Sequence, residues 1–317
     1  MKLGKHFIIG FDGTTASKEL VDFLRAEEIG GVILFTRNFE SHSQIKKLIS
    51  KLKSKRDDLI VAVDYEGGRV QRFKGKGFTT IPPMGNVKDE TQAYELALTV
   101  GKELKSIGID LDFAPVLDLF TNPKNQVIGD RAFSSDPKVA SQRANMFIKG
   151  LKGSGIITCG KHFPGHGETA LDSHETLPTI NVTSEVLHER ELVPFRSAID
   201  EGVDMIMTAH LMIPALDELE PATTSRLITT DLLRGVLGFQ GVIITDDLNM
   251  QGILKRYPVS ESAWRALDAG ADMVLICEPG FEDQHLAIKR LEQAIKNNEI
   301  SSDQLKLSQN RITKTAS

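Results

Sequence analysis

Residues 241–250 read GVIITDDLNM, a short apolar run that ends in two adjacent aspartates. A strand that is buried on both faces of a sheet has this continuous apolar character, whereas a half-buried strand alternates. The same pattern recurs as HFIIGFDG, GGVILFTRN, LIVAVDYEGG, IDLDFAPVLD, IITCGKHF, DMIMTAHL and ADMVLICEPG. The sequence therefore predicts eight buried strands.

Segments with helical periodicity lie between these runs. They read SKELVDFLRAEE, SHSQIKKLISKLKSKR, TQAYELALTVGKELKS, DPKVASQRANMFIKGLK, SEVLHERELVPFRSAIDE, TTDLLRGVLG, SESAWRALDAG and FEDQHLAIKRLEQAIKNN, and a last short helix is predicted after Asn298. Several begin at Ser, Thr or Asp and end near Gly, as capping preferences predict. Strands that each precede a helix predict an α/β fold. The count of eight favours a (β/α)₈ TIM barrel over an open doubly wound sheet. Because no low-complexity linker appears, we expect residues 1–317 to form a single domain.

Each apolar run is followed directly by a polar or charged residue. These residues are Asp12, Arg37, Asp64, Asp118, Lys161, His210, Asp246 and Glu278. In a (β/α)₈ barrel the carboxyl ends of the strands meet at one mouth, where active sites are built. One such charge is unremarkable on a surface, but its repetition at every strand predicts a polar pocket.

The composition is that of a soluble globular protein, with 40% hydrophobic and 26% charged residues. The net charge of −5 and the lack of a basic cluster beyond helix faces argue against a nucleic acid partner. Cys159 and Cys277 lie in strand-like runs and favour a reducing compartment over a disulfide framework. No run approaches the roughly 20 apolar residues of a membrane span, and MKLGKHFIIGFDG does not resemble a signal peptide. We expect a cytoplasmic protein that does not bind membranes.

The loop after the fifth strand, residues 161–178, concentrates ionisable residues in KHFPGHGETALDSHETLP. Loops of more than about 15 residues in compact domains are usually functional or disordered. The histidines could bind a metal, but their spacing is not that of a helical HExxH site. GHGET does not match a phosphate-binding loop. A Schiff base at Lys161 needs a neutral amine, which nearby carboxylates disfavour.

Two acid–base features favour catalysis. Asp172 and His174 are two residues apart, so in a turn the carboxylate can orient the imidazole, although Asp172 could equally cap a turn beside a solvated histidine. Asp246 directly follows the seventh strand and can face the barrel axis, whereas Asp247 is expected to point to the wall or cap the next helix. A carboxylate that attacks an anomeric carbon and a donor that protonates the leaving oxygen are the pair that retaining glycoside hydrolysis uses.

Five segments together resemble glycoside hydrolase family 3. They are KHFPGHGETALDSHETLP, VDYEGGRVQRF, VIGDRAF, DMIMTAHLMIPALD and GVIITDDLNM. Within that family they are similar to the single-domain bacterial β-N-acetylglucosaminidases of peptidoglycan recycling. The similarity runs from about Gly10 to the last strand, and the KH-PGHG-T--DSH--LP pattern is highly specific.

The resemblance implies a TIM-barrel exo-glycosidase that acts with retention. It places the nucleophile at Asp246 and the acid/base at His174, with Asp172 as the partner of the histidine. It also implies sugar contacts at Asp64, Arg72, Arg131, Lys161 and His162. His210 is a further candidate contact that could instead be a packing residue.

Several arginines and an acid near these positions have structural roles as the alternative to sugar binding. Arg131 could form an ion pair with Asp130, and Arg72 a salt bridge at the barrel rim. Glu66 and Arg69 are expected to be structural, because they adjoin two glycines in a tight turn.

The sequence departs from the family pattern at two positions. Tyr65 stands where glutamine is expected and could alter the rim of the pocket. Glu168 stands where aspartate is commoner. The DSH histidine and the lack of a second domain favour an N-acetylhexosaminide over a plain glucoside.

The expected substrate is therefore a small carbohydrate, namely peptidoglycan-derived fragments or oligosaccharides that contain N-acetylglucosamine. Retaining hydrolysis requires no metal or organic cofactor, and none is expected. Two alternatives stay open: a phosphorylase of the same family that uses phosphate in place of water, and a non-catalytic sugar-binding barrel.

Overall fold

The computed structural model describes residues 2–54, 56–169 and 177–316 and forms a closed barrel of eight parallel strands. The strands are β1 (Phe7–Ile9), β2 (Gly31–Leu34), β3 (Ile60–Val63), β4 (Leu111–Asp112), β5 (Ile157–Phe163), β6 (Met205–Thr208), β7 (Val242–Asp247) and β8 (Met273–Ile276). They follow one another around the barrel in chain order, and β8 closes it by pairing with β1. The predicted (β/α)₈ barrel is confirmed, and the open doubly wound sheet is wrong.

The strands are mostly apolar because both faces of the sheet are buried, and the charged residues of β5 and β7 lie toward their carboxyl ends. Ala62, Phe113 and Ile244 face the barrel axis and belong to one core cluster. The intervening residues, such as Val63 and Ile243, pack against the helices in a second cluster. A continuous apolar run is the sequence pattern that this double burial requires.

Helices cover the outside of the barrel. The main helices are Lys18–Ala26, His42–Lys53, Glu90–Ile107, Pro137–Gly153, Val193–Asp200, Val259–Ala269, Glu282–Lys296 and Ser302–Ala316. Ser184–Val186 and Gln251–Leu254 are short helices, Leu187–Glu191 and Leu227–Val236 have the wider π-helical turn, and Leu3–His6, Thr36–Asn38, Met84–Asn86 and Gly129–Arg131 are 3₁₀ turns. In the part of the chain that the structure describes, no helix has both the length and the apolar character needed to cross a bilayer.

Several helix ends agree with the predicted capping. The Ser17 hydroxyl accepts the Leu20 N–H, and Ser41 forms a reciprocal capping box with Gln44. Gly108 ends its helix in the left-handed region at φ 98°, where a side chain is disfavoured. The last helix, predicted to be short, has fifteen residues.

A small hairpin follows β3 and projects over the mouth of the barrel. It pairs Tyr65–Gly67 with Val70–Gln71 in antiparallel fashion. Gly67 turns the chain at φ 103°, and a Cβ there would lie 2.5 Å from the carbonyl oxygen of Pro82. The hairpin thus needs glycine at this position.

At the base of the barrel, an aspartate immediately precedes three of the even-numbered strands, and each carboxylate accepts a backbone N–H from the neighbouring odd strand. The hydrogen bonds are Val61 to Asp110 (2.9 Å), Thr158 to Asp204 (3.0 Å) and Ile243 to Asp272 (2.8 Å). The cationic partners of these carboxylates are Lys53, Lys152, and the pair Arg234 and Arg311. These charge-assisted contacts join three pairs of strands at the end opposite the mouth.

Asp272→Ala is expected to destabilise the barrel, because Asp272 is fully buried and its loss leaves Arg234 Nη2 and the Ile243 N–H without the acceptor they share. Removing one partner of a buried ion pair typically costs about 3–5 kcal/mol. Urea unfolding should show that loss as a lower midpoint. Asp303→Ala is the control, since Asp303 is an exposed residue that pairs with Lys306 on its own helix. Equal midpoints for the two variants would contradict the role given to Asp272.

Candidate active site

A cavity of about 740 Å³ opens at the mouth of the barrel, where the carboxyl ends of the strands meet. Six of the residues predicted for the site line it, namely Asp64, Arg72, Arg131, Lys161, His162 and Asp246. They come from β5, from β7 and from the segments that follow β3 and β4. The fold therefore brings together groups that lie up to 182 residues apart, between positions 64 and 246.

A chain of ion pairs occupies one side of the cavity. The Lys161 ammonium lies 2.8 Å from Asp64 Oδ1 and 2.5 Å from Glu66 Oε1. Arg131 donates two hydrogen bonds to Glu66, at 2.7 and 2.8 Å, and Arg72 Nη2 lies 3.1 Å from Asp64 Oδ2. Three cations thus hold half-buried Asp64 and buried Glu66 in one fixed arrangement.

This network keeps its members ionised. Burial alone would raise the pKa of Asp64, but Lys161 and Arg72 outweigh it and hold that pKa well below its usual range. Burial is likewise outweighed at Glu66, where Arg131 and Lys161 lower the pKa to about 2. The same carboxylates raise the pKa of Lys161 above its ordinary value despite burial. A charged lysine of this kind is unsuited to Schiff-base formation, as the sequence suggested.

A second buried carboxylate, Asp118, lies behind the two histidines of the mouth. His162 Nδ1 lies 2.6 Å from Asp118 Oδ2, and the His166 backbone N–H donates to Asp118 Oδ1 at 2.6 Å. Burial opposes ionisation of Asp118, but His162 outweighs it and lowers the pKa of the carboxyl. Asp118 therefore acts as an anionic anchor beneath the wall of the cavity.

Another buried acid, Glu191, lies beneath the turn between His162 and His166. Its carboxylate packs against Gly165, where a Cβ would lie 3.0 Å from Glu191 Cβ and where φ is 126°. Arg190 donates to Glu191 Oε1 at 2.7 Å and to Glu168 at 2.6 Å. Burial raises the pKa of Glu191 to about 7, although Arg190 works against that shift.

The two adjacent aspartates at the end of β7 have different surroundings. Asp246 is half-buried in the cavity lining, and its Oδ1 accepts the Asp247 N–H at 2.8 Å. Asp247 also borders the cavity, but its Oδ1 accepts the N–H groups of Asn249 (3.1 Å) and Cys277 (2.9 Å). It therefore ties β7 to the residue after β8. Burial raises the pKa of Asp247 to about 6.

The structure does not bring every strand-end residue to the cavity. His210 is fully buried outside the lining, with Nδ1 2.6 Å from Thr223 Oγ1 and Nε2 donating to the Asp247 carbonyl at 2.8 Å. These contacts agree with the packing alternative, and a role of His210 as a sugar contact stays a prediction. Asp12 and Arg37 pair with each other outside the lining, and Glu278 is exposed.

Tyr65 does not reach the rim of the pocket. Its side chain is fully buried, and its hydroxyl donates to the Thr79 carbonyl at 3.0 Å and accepts from Gln71 Nε2 at 2.7 Å. The ring packs near Phe73 and Phe78, with centroids 6.4 Å away in each case. The Tyr65 side chain therefore does not alter the rim, because it points into the core beneath the hairpin.

Asp172 and His174 lie outside the described residues. Their predicted roles as the partner and as the acid/base stay predictions. The described part of the same loop, which includes Lys161 and His162, lies at the cavity.

Sequence reasoning missed the importance of Glu66, which was expected to have only a structural part in a tight turn. Glu66 is instead the shared anchor of Lys161 and Arg131 in the cavity lining. A signal was present, because alternate residues of an extended segment point to the same side and Glu66 is two residues after Asp64. The predicted alternative partner of Arg131, Asp130, pairs with Arg69 at 3.6 Å.

The family described as "Glycosyl hydrolase family 3 N terminal domain" matches residues 2–315. The chain belongs to glycosyl hydrolase family 3. A protein named "Beta-hexosaminidase" from Tolumonas auensis is 44% identical over 277 residues, which cover 85% of this chain and 82% of that protein.

Solved structures of the family superpose on the barrel. A glycoside hydrolase family 3 beta-N-acetylglucosaminidase from Paenibacillus sp. str. FPU-7 matches 99% of this chain with a TM-score of 0.95 and 38% identity. This chain spans only 61% of that longer protein. A beta-N-acetylhexosaminidase from Beutenbergia cavernae matches with a TM-score of 0.91 and 30% identity, covering 99% of this chain and 97% of that one.

Glu191→Gln is expected to change how stability depends on pH. Because the folded pKa of about 7 exceeds the ordinary value of 4.5, the carboxyl is protonated in the fold at pH 5, and the fold loses stability as pH rises from 4.5 to 7. Glutamine removes that loss, so the variant should gain about 1–3 kcal/mol relative to wild type at pH 8 and little at pH 5. Urea unfolding at both pH values measures the difference. A gain of the same size at pH 5 would exclude a titrating Glu191.

Proposed function

We propose that this protein is a retaining exo-β-N-acetylglucosaminidase, which removes terminal non-reducing β-linked N-acetylglucosamine. The observation that carries the proposal is Asp246 in the same cavity as the ion-paired cluster of Asp64, Glu66, Arg131 and Lys161. Family membership and the names of its relatives support the same activity.

The ion-paired cluster suits the recognition of a sugar ring. Ionised Asp64 accepts hydrogen bonds from hydroxyl groups, whereas Arg72, Arg131 and Lys161 donate to sugar oxygens. Since each of these groups is already held by an opposite charge, little side-chain freedom is lost when the sugar binds. The cavity is therefore organised for substrate before substrate arrives.

The reaction follows from a carboxylate and a proton donor that act in turn. Asp246 attacks the anomeric carbon while His174 protonates the leaving oxygen, which breaks the glycosidic bond and leaves a covalent glycosyl-enzyme. His174 then takes a proton from water, which attacks the anomeric carbon and releases Asp246. Asp172 orients the imidazole and stabilises its protonated form. This assignment rests on the sequence pattern of the loop.

The proposed substrates are peptidoglycan-derived fragments that carry N-acetylglucosamine at the non-reducing end. We propose that residues 1–317 act as one catalytic domain in the cytoplasm. The absence of disulfide-bonded cysteines among the described residues, where Cys159 and Cys277 are free thiols, agrees with a reducing compartment.

Asp246→Ala is expected to reduce the release of p-nitrophenol from p-nitrophenyl N-acetyl-β-D-glucosaminide by about 10⁴-fold, because the nucleophile is lost. Asp303→Ala, far from the mouth and exposed, serves as the matched control and should keep wild-type turnover. Survival of turnover in Asp246→Ala would show that another group is the nucleophile.

Product analysis with and without phosphate separates hydrolysis from phosphorolysis in the same assay. Free N-acetylglucosamine in both conditions supports the proposal, whereas a sugar phosphate would establish a phosphorylase. If wild type binds N-acetylglucosamine without any turnover, the non-catalytic binding barrel is correct.

Glu66→Gln is expected to lower kcat/KM by about 10- to 100-fold, since charge-assisted hydrogen bonds contribute about 1.5–3 kcal/mol. The amide cannot serve as the anionic partner of both Lys161 and Arg131. Steady-state kinetics on the same glycoside measures the change. Glu261→Gln provides the control, because its partners Arg290 and Trp264 lie outside the cavity lining. Equal kinetics in both variants would remove Glu66 from the sugar site.

A further inference from the structure

The Asp118 carboxylate receives hydrogen bonds from three nitrogen atoms of two residues. The His162 backbone N–H lies 3.2 Å from both Asp118 oxygens, His162 Nδ1 lies 2.6 Å from Oδ2, and the His166 N–H lies 2.6 Å from Oδ1. Asp118 is 1% exposed and does not border the cavity, whereas His162 does. His166 borders the cavity too, but Asp118 accepts its backbone N–H, whereas it binds the ring of His162. Asp118 can therefore orient the His162 side chain for a bound sugar.

An ionised carboxylate can only accept hydrogen bonds, so the contact of 2.6 Å places a proton on His162 Nδ1. Nε2 is the other ring nitrogen, and among residues 2–54, 56–169 and 177–316 nothing forms a hydrogen bond with it. When the ring is neutral, this tautomer leaves Nε2 as an acceptor. An acceptor on the cavity wall matches the O–H donor of a sugar hydroxyl.

The backbone of the turn is held as well as the ring. Gly165 N–H donates to the His162 carbonyl at 2.8 Å, which closes the turn between the two histidines. Asp118 binds the turn from the β4 side, and Glu191 packs against Gly165 from another side. Because the backbone of the turn is fixed in this way, the imidazole ring of His162 is the part that can still rotate. The hydrogen bond from Nδ1 to Asp118 prevents that rotation.

We propose that Asp118 is a positioning residue of the sugar site, which holds the proton of His162 on Nδ1 and so presents Nε2 to a substrate hydroxyl. This inference rests on the proposed function, because it takes the ligand of the cavity to be a sugar. It goes beyond that proposal by giving a role to a buried group that touches no substrate.

Long-range ¹H–¹⁵N NMR of the imidazole nitrogens tests the inference on the wild-type protein. His162→Gln identifies the signals of His162 by their loss. We expect the wild-type ring to show a protonated Nδ1. A ring with a proton on Nε2 would overturn the inference, whether or not Nδ1 is also protonated and whether or not any variant folds.

Asp118→Asn tests the consequence for sugar binding. The amide oxygen can accept the His162 and His166 backbone N–H groups, which leaves the amide NH₂ to face Nδ1 as a donor. The proton should then move to Nε2, and kcat/KM for p-nitrophenyl N-acetyl-β-D-glucosaminide should fall by about 10- to 100-fold. The Kd of free N-acetylglucosamine should rise in the same variant.

Asp204→Asn is the matched control. Asp204 is also an aspartate that accepts a β5 backbone N–H, from Thr158 at 3.0 Å, but it lies at the base of the barrel. It should leave the His162 tautomer and kcat/KM unchanged even if stability falls. A folded Asp118→Asn variant with wild-type kcat/KM and wild-type sugar affinity would contradict the positioning role.

The failures of the two proposals are distinguishable. If the wild type is active and Asp118→Asn keeps wild-type kcat/KM and sugar affinity, only the role of Asp118 is refuted. If the wild type is inactive, the hydrolase is refuted, and the change in the ¹⁵N chemical shift of His162 Nε2 on addition of N-acetylglucosamine then tests the role of Asp118. A change in wild type that is lost in Asp118→Asn supports that role. No change in wild type overturns it.

Discussion

The Lys161 ammonium, held between Asp64 and Glu66, is the interaction on which the mouth of the barrel depends. A charge buried to this degree needs opposite charges around it, and each of those carboxylates needs a second cation in turn. Arg72 and Arg131 supply those cations from the hairpin segment after β3 and from the long segment after β4. The position of one lysine on β5 therefore fixes the conformation of the two segments that follow β3 and β4.

The fold was predictable because burial on both faces leaves a simple trace in the sequence. Each of the eight strands lies in or beside a short apolar run, and each is followed by at least one helix. The π-helical turns at Leu187–Glu191 and Leu227–Val236 were not predictable, because the side-chain pattern of a wider turn differs little from that of a regular helix over so few residues. For the hairpin after β3, the two adjacent glycines predict only a tight turn.

The site was predictable only in part. A polar residue after a strand marks the mouth, but it does not show whether its side chain faces the axis or the helices. His210 follows an apolar run of the sequence just as Lys161 does, yet Thr223 and the Asp247 carbonyl hold it within the core. Asp118, in turn, acts behind the wall rather than in it. Such differences depend on contacts between residues distant in sequence, which no local pattern records.

The aspartates at the base of the barrel join its strands at the end opposite the cavity, so the contacts that close the barrel lie away from the mouth. Both described ends of the chain lie at that base: Gln309 donates to the Lys2 carbonyl, Arg311 pairs with Asp272, and Thr315 and Ala316 border a small hollow beside Asp110 and Asp204. Further polypeptide can therefore be joined at either end without passing near the substrate. The fold is in this sense modular, which agrees with its occupying 61% of the longer Paenibacillus protein.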